Sequence, residues 1–404
     1  MADSVSAAKR GGGLALAMLV FSAGLLSCGS PGRDSEQLSA SKRWSLGSNP
    51  TPVPEAPLEG LTDVLAIGQR FFVYGSAADV KSGILPMALF DPDTGIWEPV
   101  PQPPLDGTLL EPHTTVIGED ELILVATQCA ALQYTEDIYP TCRPGTLGAA
   151  ILSMATGRWE RLNLPSHGGP QDGAKYTRSS IFPGGARPVL MLSDSWFTFD
   201  ATDRSFMAVE RPPVPTTTAC ATPTGPVLVY APTQEEAGFD HTDTQALNAP
   251  PPASVIATVS LDSSGRWRVA PDLDAKTQLA QVQLVVCDGD GATVLGKNAG
   301  IHYAYARRFD TKTVTWRGIS VPDVQIGYPE SWATDDGVVL NDPFVHTFRM
   351  DPKSGEVSET TTQLGVVGSA AFTGNGVFLA FGYPTTGSEE SLGAPQLVAG
   401  RIAG

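Results

Sequence analysis

The chain is poor in positive charge, in histidine and in cysteine, and each shortage excludes something. Lys and Arg number 26 against 43 Asp and Glu, a formal net charge of −17. A field of that sign repels phosphate, so nucleic acid is not an expected partner, and neither is electrostatic attachment to anionic lipid headgroups. The five histidines, His113, His167, His241, His302 and His346, are scattered, and the chain has no Cys-x-x-Cys pair. A structural zinc is therefore not expected, and no other metal or cofactor is. Catalytic signatures are missing as well: no G-x-S-x-G elbow, no His-Glu-x-x-His and no phosphate-cradling Gly-rich loop. Past the N-terminal segment, no apolar run reaches the roughly 20 residues that a membrane-spanning helix needs.

What the chain does have is turns and apolar residues. Gly at 42 and Pro at 34, spread along the sequence, point to many turns between short strands. With 42% hydrophobic residues over 404 positions there is enough material for a large core.

The N-terminus has the layout of a targeting segment. Lys9 and Arg10 precede an apolar run, LALAMLVFSAGLL at 14–26, which is too short for a comfortable transmembrane helix and of a length that suits a signal peptide. The run ends in Leu25-Leu26-Ser27-Cys28-Gly29. This resembles the bacterial lipobox, with Leu26 where Ala, Ser or Thr is commoner. The resemblance implies a signal peptide over 1–27 and a lipidated Cys28 as first mature residue. Several acyl chains on one residue hold a membrane far better than one. The alternative is ordinary signal cleavage that leaves Cys28 an unused thiol. Gly29 in place of Asp resembles the pattern for export to the outer membrane of a diderm bacterium. Residues 28–57 are rich in Ser, Pro and Gly and read as a tether.

Beyond the tether one phrase recurs: an apolar strand, an Asp-centred turn, a Trp, then a Pro-containing exit. It is seen at Asp91, Thr94 and Trp97 before Pro101, and at Thr156 and Trp159 before Pro165. It returns at Asp200 and Phe206, at Asp262 and Trp267, and at Asp310, Thr313 and Trp316, with a degraded copy at Asp351, Ser354 and Val357. The copies lie roughly 40 to 60 residues apart, the span of a four-stranded propeller blade. Upstream of each copy, two apolar strands flank a Gly-bearing turn.

These turns resemble those of the kelch family, whose blades carry Asp-x-x-Thr-x-x-Trp between the third and fourth strands. The resemblance covers about residues 58–404 and departs from the family where second strands should end in Gly-Gly; Tyr74-Gly75-Ser76 and Phe381-Gly382-Tyr383 are the nearest copies. A related propeller family stays open. The implied fold is an all-β, seven-bladed β-propeller of four-stranded antiparallel blades, closed by an N-terminal strand. The last upstream half runs into the C-terminus with no Trp strand of its own. Arg43-Trp44-Ser45-Leu46, before Pro50, Pro52 and Pro54, supplies the missing piece, so about 42–49 are expected to form the fourth strand of blade seven. The other reading leaves Trp44 in the tether. The repeated Trp residues are expected to plug the gaps between blades.

Four cysteines remain after Cys28, an even number that favours two disulfides in an exported chain. Cys129 and Cys142 flank one loop. Cys220 and Cys287 occupy equivalent places in first strands of neighbouring blades, where the expected bond ties the blades at the channel wall; two small buried thiols are the alternative.

Long second-to-third loops at 127–148, 231–252 and 382–395 are the candidate binding elements. Their candidate contacts are Tyr134, Asp137 and Tyr139 in the first, and Glu235, Glu236, Asp240, His241 and Asp243 in the second; solvated acidic loops are the plainer reading. Asp288-Gly289-Asp290-Gly291 and Asp335-Asp336-Gly337 read as tight turns, because a calcium loop needs more oxygen ligands at fixed offsets. The expected function is that of a lipid-anchored binding or scaffold propeller, with an envelope protein or glycan as partner. The alternative is a propeller hydrolase or lyase acting on extracellular polysaccharide.

Overall fold

The computed structural model describes most of the chain from Thr51 to Ile402, with Leu46 before it. Residues 1–45, the stretches 55–60, 76–83, 166–178, 231–256, 271–280, 298–303, 320–329 and 384–395, and shorter gaps lie outside the described residues. The described part is built from strands, gathered in seven four-stranded sheets and one small two-stranded sheet.

Each sheet is an antiparallel meander. Blade one comprises Leu61–Ile67, Arg70–Gly75, Met87–Asp91 and Ile96–Pro99, and blade two Thr108–Ile117, Glu121–Cys129, Gly145–Ser153 and Arg158–Leu162. Blade three runs from Ser179–Phe182 to Ser205–Val209, and blade four from Thr218–Thr222 to Trp267–Val269. Blade five comprises Gln281–Asp288, Gly291–Lys297, Ala304–Asp310 and Thr315–Ile319, and blade six runs from Glu330–Thr334 to Val357–Glu359. Blade seven takes Val366–Phe372, Val377–Tyr383 and Gln396–Arg401 from the C-terminus, and its fourth strand, Thr51–Pro52, from the other end of the chain. First strands approach one another from blade one to three and from blade four to seven, blades three and four pack through Val189, Trp196, Leu228 and Val259, and the first strand of blade seven meets that of blade one, so the ring closes. The protein is a seven-bladed β-propeller.

Period-two alternation explains why the middle strands are apolar on both sides. Phe71 and Val73 face blade seven, packing with Val377, Leu379 and Ala399, while Phe72 and Tyr74 face blade two, packing with Leu122 and Leu124. A strand sandwiched between two neighbouring blades has no solvent face, so it reads as a continuous hydrophobic run. The buried clusters follow the seams between blades in this way around the ring.

The N-terminal segment closes blade seven through Thr51–Pro52. Thr51 pairs with Ala399 and Pro52 with Val398, and the Val53 N–H donates to the Leu397 carbonyl at 3.1 Å. The expected stretch 42–49 lies outside the described residues except for Leu46, which is half-buried against the seam between blades seven and one. Pro is tolerated on an outer edge strand, whose second side needs no donor, so the proline-rich segment itself supplies the pairing.

The repeated phrase has a double physical meaning. Its Asp makes a side-chain turn: Asp91 accepts from the N–H groups of Asp93 and Thr94, Asp200 from Thr202 and Asp203, and Asp310 from Lys312 and Thr313. Those donors hold the Asp200 and Asp310 carboxyls below the usual carboxylate range. Its Trp packs into the seam with the preceding blade, and in three blades its indole N–H donates to that blade's exit carbonyl. Trp97 reaches Pro54 O at 3.1 Å, Trp159 reaches Pro101 O at 2.7 Å, and Trp267 reaches Glu210 O at 2.7 Å.

Candidate functional site

An up-and-down blade puts its first-to-second and third-to-fourth turns on one face. Second-to-third loops and inter-blade connections lie on the other, which carries the long loops.

In blade two the second strand continues to Cys129 and the third begins at Gly145, so the loop is shorter than the expected 127–148. Within it, Leu132–Tyr134 and Pro140–Cys142 pair as a separate antiparallel hairpin. Cys129, at its base, is buried and disulfide-bonded. The Cys142 backbone pairs with Leu132, and the Cys142 side chain lies outside the described residues. Tyr134 ends the first arm of the hairpin opposite Pro140; its side chain lies outside the described residues, as do Asp137 and Tyr139 altogether. Glu235, Glu236, Asp240, His241 and Asp243 fall in 231–256, also outside them.

The mouth of the channel on this same face has a construction the sequence did not announce. The first strands of blades seven, one and two each carry a register shift near their starts, between Val367 and Ser369, Leu61 and Asp63, and Leu110 and His113. Bulges of this kind re-aim side chains. Gly368 occupies the first of them, and in the third Pro112 has no N–H to give to a ladder.

Asp63 is the centre of what these bulges bring together. Its carboxylate accepts from the Val64 N–H at 2.9 Å, from the Ser369 hydroxyl at 2.9 Å and from the Tyr74 hydroxyl at 3.3 Å. The Tyr74 hydroxyl also bonds the side chain of Thr114. One chain of polar contacts thus runs from blade seven through blade one to blade two. Burial first, and then the charge of Asp63, push the Tyr74 phenol well above its ordinary value, so it stays a neutral donor. With three donors on the carboxylate, the arrangement fixes the mouth in one geometry. Polar residues in the apolar strands 61–67 and 70–75 were the available signal for this network, but their partners include residues of other blades, Thr114 of blade two and Ser369 of blade seven, the latter 306 residues from Asp63 in sequence.

At the opposite ends of the first strands, Cys220 and Cys287 form a disulfide with a Cα–Cα distance of 5.4 Å, joining blades four and five. Cys220 is buried in the seam there, beside Val285 and Phe309. At the two Asp-Gly segments Asp288 pairs with Gly291 and Thr334 with Gly337, and the residues between lie outside the described ones. Gly337 has φ of +153°, and a Cβ there would lie 2.6 Å from the Met350 carbonyl, so only glycine fits. Among the described residues, no group of three or more His, Cys, Asp and Glu side chains could hold a metal ion.

No family model matches the chain, and no curated protein sequence does. Among solved structures, the chain is similar to the β-propeller domain of the Trilobed protease from Pyrococcus furiosus. The TM-score is 0.47 at 12% identity, covering 84% of this chain and 94% of that one.

Proposed function

We propose that this chain is a divergent kelch-like propeller, exported and held by a lipid on Cys28 to the cell envelope of a diderm bacterium, most naturally its outer membrane. There it binds an envelope protein or glycan through the long-loop face. The observation that carries the reading is the blade-two hairpin: a short two-stranded element raised from a rigid ring, with a buried, disulfide-bonded cysteine at its base. A loop held in shape before it meets a ligand loses less entropy on binding. The polar tie at Asp63 holds the first strands of blades seven and one together on the same face. The kelch assignment is supported by the Asp turns and the Trp plugs, which do in this ring what the family's motif residues do. The anchor rests on the sequence 14–29.

The test replaces 130–144 by a short Gly-Ser turn and titrates purified protein with solubilised envelope polysaccharide and with isolated envelope proteins. Binding by the wild type that the replacement abolishes supports the reading. Binding that survives the replacement, or release of new sugar ends from the polysaccharide, overturns it. The anchor is tested separately: Cys28→Ser protein is expected in the soluble fraction, and an unmodified native N-terminus would refute the lipid.

A further inference from the structure

On the other face, an open depression of about 400 Å³ lies across the seam between blades five and six, lined by Arg308, Asp310, Lys312, Arg317 and Lys353. Four cations surround one carboxylate in a protein whose formal net charge is −17. That local reversal of sign is the first reason to single it out.

The second reason is how firmly the two guanidiniums, and the backbone that carries the two ammoniums, are placed. Arg308 is 4% exposed, and its guanidinium donates to the Thr293 hydroxyl at 3.3 Å; that hydroxyl in turn donates to the Pro352 carbonyl of blade six at 2.8 Å. Arg317 crosses the same seam to donate to the Lys353 carbonyl at 3.0 Å. Lys312 and Lys353 sit at matching positions of two successive Asp turns, each giving its backbone N–H to its own Asp, at 2.9 Å and 2.7 Å. The Asp310 carboxylate is engaged by two such N–H groups, so it is turned to its own turn. Planar guanidiniums and mobile ammoniums approaching from two blades suit a group with several acceptor oxygens pointing different ways.

We infer that this depression binds a tetrahedral oxyanion of the phosphate or sulfate class, carried free or on a sugar. The site is independent of the long-loop reading, since it lies on the opposite face.

The experiment follows Tm as inorganic phosphate, inorganic sulfate or glucose 6-phosphate is added, against sodium chloride at matched ionic strength. A saturable rise of several degrees with any of the three, absent with chloride, is expected. A larger rise with glucose 6-phosphate would assign the ligand to a phosphorylated sugar, and an equal one to the free ion. Arg317→Gln/Lys353→Gln, two exposed positions whose change leaves the fold intact by circular dichroism, should lose the rise. A rise no greater than that with chloride, or one that persists in the double variant, overturns the inference.

Discussion

The indole N–H of Trp267, in the fourth strand of blade four, donates to the main-chain carbonyl of Glu210, at the exit of blade three, at 2.7 Å. Trp97 and Trp159 make the equivalent bond to Pro54 and Pro101. At these three seams the extended exit of the preceding blade presents its carbonyl to the Trp; the Trp316 indole N–H of blade five is buried without such a partner. Trp267 also meets Trp196 of blade three edge-on, with ring centroids 6.4 Å apart. Trp267→Phe keeps most of the plug and removes the donor. It should cost about 1–2 kcal/mol, read as a lower urea midpoint with an unchanged m-value.

The Cys220–Cys287 bond spans 67 residues of sequence. In the loop-closure account a bond of that span contributes about 4 kcal/mol by restricting the unfolded chain. Cys220→Ser/Cys287→Ser protein should unfold at markedly lower denaturant, and reductant should weaken the wild type toward it. Equal midpoints for the two proteins would contradict this.

Most of the third-to-fourth turns place a glycine in the left-handed region, with Gly95 at φ +70°, Gly157 at +63°, Gly265 at +78° and Gly355 at +81°. In blade five the same position is Val314, at φ +56°. A β-branched residue is strained there by about 1–2 kcal/mol. Val314 recovers part of that by packing beside Phe309 and Trp316. Val314→Gly should therefore stabilise by about 0.5–1 kcal/mol, and Gly95→Val should destabilise by about 1–2 kcal/mol, both measurable by urea denaturation.

The aspartates of the turns predict how the ring responds to acid. Asp200 is held low mainly by the Thr202 N–H, Asp262 by the Ser264 hydroxyl, Asp310 by the Thr313 N–H and Asp351 by the Lys353 N–H. A depressed folded value means the contribution is fully present above the ordinary Asp value of about 4 and is lost as pH falls through the lower folded values. Changing all four to Asn keeps the acceptor oxygen and removes the titration. Urea midpoints of the variant should fall less steeply than those of the wild type as pH drops below about 4. Parallel slopes would contradict the assignment.

The fold was legible because it repeats. Asp91, Thr94 and Trp97 mean little alone, but Asp310, Thr313 and Trp316 return the same spacing with strands of the same kind, and that periodicity implied the ring and its closure. The Cys220–Cys287 pair could be placed for the same reason, since equivalent positions in adjacent blades are near in space. What periodicity could not give was detail that breaks it. The pairing of Thr51 and Pro52 in the closing strand was not legible, because an edge strand is fixed by backbone pairing with Val398 and Ala399, which leaves no side-chain signature. The Asp63, Tyr74 and Ser369 contact depends on bulges, which shift register without a sequence mark beyond Gly368 and Pro112. The depression at Arg308 and Lys353 joins residues of two blades whose charges look like ordinary solvated surface when read in order.

The most direct measurement of the central claim is site-specific photo-cross-linking in cells that make the protein, with a probe at Gln133 on the blade-two hairpin and a second at Asp93 on the opposite, turn-bearing face. The account predicts one discrete adduct, protein or glycan, at Gln133 and none at Asp93, lost when the remainder of 130–144 is replaced. Adducts from Asp93 alone, or a Gln133 yield that the replacement leaves unchanged, would contradict it.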